Sequence, residues 1–79
     1  MTRDELEKAL LAAHASGTGR DLSRLYTLAG DQAEGAGRID AACFYLTQAF
    51  VYALECGLPE AAELNRRLAD KGRAHLLDW

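Results

Sequence analysis

The sequence predicts an all-α domain of four short antiparallel helices arranged as two stacked helical hairpins. Three observations carry that reading. Apolar residues recur at three- and four-residue spacing in four separate stretches, and glycines or a proline stand between those stretches. Nowhere do apolar and polar residues alternate as a half-buried strand requires. The 79 residues make one domain, 1–79, near the lower size limit for a self-sufficient core.

The first helix opens at Thr2, Glu5 completes a capping box three residues later, and Gly17 is placed to end it. Leu6, Leu10 and Ala13 form its stripe, widened by Ala9 and Leu11, while Asp4 and Lys8 are spaced to pair outside. The second helix restarts at Thr18 as N-cap, with Asp21 in the first turn, where the helix dipole favours an acid. Its stripe is Leu22, Leu25, Ala29, Ala33 and Ala36. Gly30 falls inside it at a cost of about 1 kcal/mol relative to Ala, which marks a place where another backbone comes close.

Gly35 and Gly37 close that helix, Asp40 is the expected cap of the third, and Ile39 and Phe44 have the spacing of a hydrophobic staple. Between Asp40 and Cys56 one face carries Cys43, Leu46, Phe50 and Leu54, and a second carries Ala42, Tyr45, Ala49, Tyr52 and Cys56. A helix apolar on more than one face is interior. The third helix is therefore expected between the second and the fourth, with Gly30 at the tightest approach. Gly57 and Pro59 introduce the fourth helix, whose stripe is Ala61, Leu64 and Leu68 and whose outer face offers Glu63–Arg67 and Arg66–Asp70 pairs before Gly72. Leu76, Leu77 and Trp79 follow as an apolar tail that must fold back, dock on a second copy or form an exposed interaction patch.

Composition narrows the function classes. A formal charge of −3 and a pI near 5.2 disfavour nucleic acid or an anionic membrane as partner, and the Arg66, Arg67, Lys71, Arg73 cluster is offset by Glu60, Glu63 and Asp70. The N-terminal stretch carries acids where a signal peptide is basic, and the apolar run within 41–54 is shorter than the ~20 residues that span a bilayer. Cys43 and Cys56 on one helix stand ~20 Å apart at ~1.5 Å per residue, beyond the reach of a disulfide, so both read as buried free thiols of a reducing, cytoplasmic compartment. Frequent Ala, and Arg used far more than Lys, fit a GC-rich bacterial source.

No site chemistry stands out. There is no CxxC or HxxxH pattern, so neither metal nor cofactor is expected, and His14 reads as a partly buried structural residue. Ser16, Ser23, His14 and His75 make no nucleophile–base pattern, and "GTGRD" at 17–21 lacks the Lys-Ser/Thr of a P-loop. No catalytic residue is assigned.

Residues 23–56 resemble a single tetratricopeptide repeat, a 34-residue helix–turn–helix unit. Tyr26 stands at the opening aromatic, Ala29-Gly30 at the Leu-Gly pair, Gly37 at the turn, and Ala42, Leu46 and Ala49 reproduce the small–large–small spacing of the second helix. Ala33 replaces the usual Tyr, and the closing Pro is displaced to Pro59. The resemblance implies a non-enzymatic interaction module, a small adaptor or chaperone-like protein. Its peptide or protein partner would meet Arg24, Thr27, Asp31 and Glu34 on the first helix of the repeat. Thr27 and Asp31 stand where one subgroup uses Lys and Asn to clamp a C-terminal carboxylate, and the acid-leaning face favours a basic or neutral partner. One repeat is short of the three or so that an array needs, so flanking helices or a second chain, as in a homodimer, would complete it. The alternative reading is a regulatory bundle with a small apolar or aromatic ligand held by Tyr26, Tyr45 and Tyr52.

Overall fold

Two threonines start the first two helices. In the computed structural model, which describes residues 1–73, Thr2 and Thr18 each accept a hydrogen bond from the backbone N–H three residues on, and Glu5 and Asp21 reach back to complete capping boxes. The elements are α1 (Arg3–Ser16), α2 (Gly19–Gly35), α3 (Ile39–Glu55) and α4 (Glu60–Asp70), with no strand among the described residues. Gly37, Gly57 and Gly72 adopt positive φ just beyond the ends of α2, α3 and α4, the left-handed conformation that closes a helix without a Cβ clash. The tail residues Leu76, Leu77 and Trp79 lie outside the described residues.

The α2–α3 pair is the most extensive contact, α4 packs on another flank of α3, and α1 leans on α2. The core joins Cys43, Leu46, Ala49 and Ala53 of α3 to Ala61, Leu64 and Leu68 of α4, with Tyr26, Phe50 and Leu58 packed against it. Ala29 and Ala33 of α2 and Ala42 of α3 are buried too, so mostly small side chains separate the two central helices. A Cβ on Gly30 would stand 2.8 Å from both Cγ and Cδ2 of Leu46 and 3.5 Å from the carbonyl oxygen of Ala42. Leu46 has no exposed surface, so it has little room to yield. A second close approach lies near the other end of the pair, where a Cβ on Gly19 would meet Sγ of Cys56 at 2.5 Å. Between the two, buried Ser23 donates from Oγ to the carbonyl oxygen of Ala49 at 2.9 Å.

Several local expectations are corrected. α3 begins two residues early, with Arg38 at the N-cap position and no side-chain cap, so Asp40 sits inside the first turn and accepts from Arg73 Nη2 at 2.5 Å. Ile39 and Phe44 face solvent and form no buried staple. Cys56, at the C-cap of α3, is exposed although Gly19 of α2 approaches its Sγ; Cys43 is buried as expected. On α1 the pair that forms is Arg3–Glu7 at 3.5 Å, in place of Asp4–Lys8. Glu63 pairs with Arg66 at 2.6 Å, which frees Arg67 to reach α2, while Arg66–Asp70 persists at 3.8 Å. α3 is flanked as predicted, yet Phe44, Val51 and Leu54 leave an apolar ridge in solvent on its outer side.

The close approach is directly testable. Gly30→Leu is expected to destabilise by roughly 1–3 kcal/mol through overpacking against Leu46. Leu46→Ala is expected to cost about 2–5 kcal/mol by leaving a cavity. Urea melts of the two variants measure both; a neutral result for either would show that α2 and α3 do not meet there.

Candidate functional site

Four residues of α2, Arg20, Arg24, Thr27 and Leu28, line one wall of an open groove of about 520 Å³. The opposing wall is the α3–α4 turn and the start of α4, with Leu58, Pro59 and Glu60. The wall on α2 follows from helix geometry: positions 20, 24, 27 and 28 are three or four residues apart and share one face. Leu28 is 40% exposed, which gives the groove an apolar floor together with Leu58 and Pro59. No α2 Cα comes within 8 Å of an α4 Cα, so the two helices are bridged by side chains.

The bridge stands at the far end of the gap. Arg67 Nη2 lies 2.7 Å from Asp31 Oδ1 and 3.7 Å from Glu34 Oε1, and Lys71 Nζ contacts Glu34 Oε2. Both cations are largely covered, with 22% and 20% of their side chains exposed, so these pairs hold better than free surface pairs do. The hydrogen bond from Lys71 holds the Glu34 carboxyl below its usual pKa, with the charges of Lys71 and Arg67 adding to the effect and burial opposing it. At the groove end the charges stay open. Arg24 has only a 3.9 Å approach to Asp21, whose carboxylate also serves the N-terminal cap, and Arg20 has no ion-pair partner among the described residues.

The four partner-contacting candidates on α2 therefore separate. Arg24 and Thr27 line the groove, whereas Asp31 and Glu34 are engaged by α4. Thr27 also donates from Oγ1 to the carbonyl oxygen of Ser23 at 2.8 Å, which ties its side chain to its own helix. Arg20, Leu28, Leu58 and Pro59 were not among the sequence candidates. The four-residue spacing of Arg20, Arg24 and Leu28 was a usable signal, but an outward leucine on a helix carries no meaning until a neighbouring wall is known.

The three tyrosines gather elsewhere, on the side covered by α1. Tyr26 stacks on Tyr52 with ring centroids 6.0 Å apart and on Tyr45 at 6.3 Å. His14 stands edge-on to Tyr26 and Tyr52, and its Nε2 lies 2.8 Å from the Tyr26 hydroxyl. Burial first, then the neighbouring Tyr52 and Tyr45, pushes the Tyr26 phenol upward from its ordinary pKa. His14 is exposed, in contrast to the partly buried residue expected, because α1 covers the tyrosines only along its inner edge.

Comparison with known proteins adds no family: no family model, curated protein or solved structure matches the chain.

The ion cluster predicts a pH dependence. A carboxyl whose folded pKa lies below its unfolded value contributes stability that is present above the unfolded pKa, about 4.3 for Glu, and that is lost as pH falls through the folded value. Lys71→Met removes the main cause of the Glu34 depression. The variant is expected to lose stability at neutral pH and to show a smaller loss on acidification between pH 5 and 3 than the parent, as read by urea melts across that range. An unchanged acid limb would show that the Lys71–Glu34 contact contributes nothing.

Proposed function

We propose that the chain is a non-enzymatic protein-interaction module that holds an extended peptide segment in the groove between α2 and the start of α4. The observation that carries this reading is an open, apolar-floored groove whose α2 wall presents Arg20, without an ion-pair partner among the described residues, and Arg24, held only by a 3.9 Å approach to Asp21. Internal neutralisation of Asp31 and Glu34 reverses the preference expected from the α2 sequence: the fitting segment is acidic and apolar, not basic. The resemblance of residues 23–56 to a tetratricopeptide repeat supports the same use of α2, since that family presents partners to the first helix of each repeat. A small adaptor or chaperone-like protein of the bacterial cytoplasm is the role this describes.

Three further points bear on the reading. No helix among the described residues is long and apolar enough to cross a membrane. Self-association as a homodimer belongs to the same proposal, and the bare Phe44–Val51–Leu54 ridge offers a face for it. A small aromatic ligand among Tyr26, Tyr45 and Tyr52 has less support, because those rings rest on one another.

Fluorescence anisotropy against a set of labelled decapeptides of graded charge tests the proposal. Acidic, leucine-rich peptides are expected to bind best, and more weakly as salt rises. Each exposed charge pair is worth roughly 0.2–1 kcal/mol, and a charge reversal loses one attraction and adds a comparable repulsion, so Arg24→Glu should weaken binding by about two- to thirtyfold. Equal affinity for acidic and basic peptides would overturn the assignment of the groove.

A further inference from the structure

The same chain carries a segment whose chemistry matches the groove. Residues 74–79 read A-H-L-L-D-W, two leucines followed by an acid and an aromatic. The α2 wall presents, in order from the middle of the helix to its start, Leu28 and Thr27, then Arg24, then Arg20. Leu58 and Pro59 extend the apolar surface at that last end. Glu60 is a lone acid facing two arginines, and it sits in the first turn of α4, where the helix dipole already favours it.

Register and reach agree with that order. Arg67 meets Asp31 and Lys71 meets Glu34, so α2 and α4 run in the same direction, and the end of α4 stands beside Glu34. Gly72, with φ +72°, ends α4 in a left-handed turn, and the N–H of Arg73 bonds back to the carbonyl of Leu68 at 3.0 Å, so the chain is already reversing. Measured back along α2 from Glu34 at ~1.5 Å per residue, Leu28 is about 9 Å away, Arg24 about 15 Å and Arg20 about 21 Å. An extended segment leaving Arg73 at ~3.4 Å per residue brings Leu76 to about 10 Å, Asp78 to about 17 Å and Trp79 to about 20 Å. Those reaches match, in the same order, the distances to Leu28, Arg24 and Arg20.

We propose that residues 74–79 turn back along α4 and occupy this groove on their own chain, so that the tail competes with any external peptide for the Arg20–Arg24–Leu28 wall. The proposal rests on the groove being a peptide site and goes further by naming a resident ligand. Its recognition terms are burial of Leu76, Leu77 and Trp79 on Leu28, Leu58 and Pro59, and a charge pair between Asp78 and Arg24. An arginine placed against an indole adds a cation–π contact.

Trp79 is the only tryptophan, so its emission reports the tail alone in the full chain. The expected result is blue-shifted emission that is independent of protein concentration and that moves to the red in Arg24→Glu. It should return toward the blue in the charge-swapped double variant Arg24→Glu with Asp78→Arg, while far-UV circular dichroism stays unchanged in all three. Solvent-like emission in the parent overturns the proposal. So does blue emission that Arg24→Glu leaves untouched, or that appears only as the sedimenting mass doubles, which would put the tail on a second copy.

A labelled AHLLDW hexapeptide supplies the second measurement. If the tail fills nine grooves in ten, the probe should bind the full-length variant Leu77→Ser with Asp78→Arg about tenfold more tightly than the parent. Equal binding to both chains leaves the groove a peptide site and removes the tail from it. Binding to neither removes the peptide reading of the groove, and the Trp79 emission then decides the tail's position on its own.

Discussion

The fold depends on how closely α2 can lie against α3. That distance is set by the absence of a side chain at Gly30, whose Cβ position falls within 2.8 Å of Leu46. Around that point the buried residues are small: Ala29 and Ala33 on one helix, Ala42 and Ala49 on the other. Small residues bring two backbones close enough for many weak dispersion contacts to add up, and in a chain of this size there is little other core to make up for their loss. The Ser23–Ala49 hydrogen bond sits inside the same contact and satisfies the one hydroxyl that the approach buries there.

The groove is a consequence of that pairing. α3 carries α2 on one flank and α4 on another, so α2 and α4 end up as neighbours that do not pack directly. Charge then decides where the gap is closed. At one end Arg67 and Lys71 of α4 neutralise Asp31 and Glu34 of α2, and the partial burial of both cations makes those pairs stiffer than ordinary surface pairs. At the other end the wall opposite Arg20 and Arg24 is a turn holding Leu58 and Pro59, with Glu60 as its one acid. The same two helices thus present a closed polar end and an open end with an apolar floor and positive charge.

α1 stands apart from this arrangement. Its backbone approaches only α2, and it reaches α3 through His14, whose ring meets Tyr52 and whose Nε2 is bonded to Tyr26. Stacking fills the space among the three tyrosines, so aromatic residues that a linear reading could take for a ligand cage serve to seat α1 on the central pair. Further round α3 the Phe44–Val51–Leu54 ridge has no covering element among the described residues, because the chain supplies neighbours for only two flanks of that helix.

The residues alone determined the helix count, the Thr2–Glu5 capping box, the Thr18 N-cap, the ends of the first three helices, the central place of α3 and the role of Gly30. Each of these follows from contacts within about four residues or from the side-chain period of a single helix, and both are written in the order of the chain. Tertiary structure decided the rest. Arg67 passes over Glu63, its partner by helix spacing, to reach Asp31, because α2 lies beside α4 in space though thirty-six positions away in sequence. That one choice removes the acidity expected of α2, leaves Arg24 and Arg20 as the open charges, and turns Leu28 from a stray surface leucine into the floor of a groove. Which side chains pair across a gap depends on distances between helices, and helical periodicity carries no information about those distances.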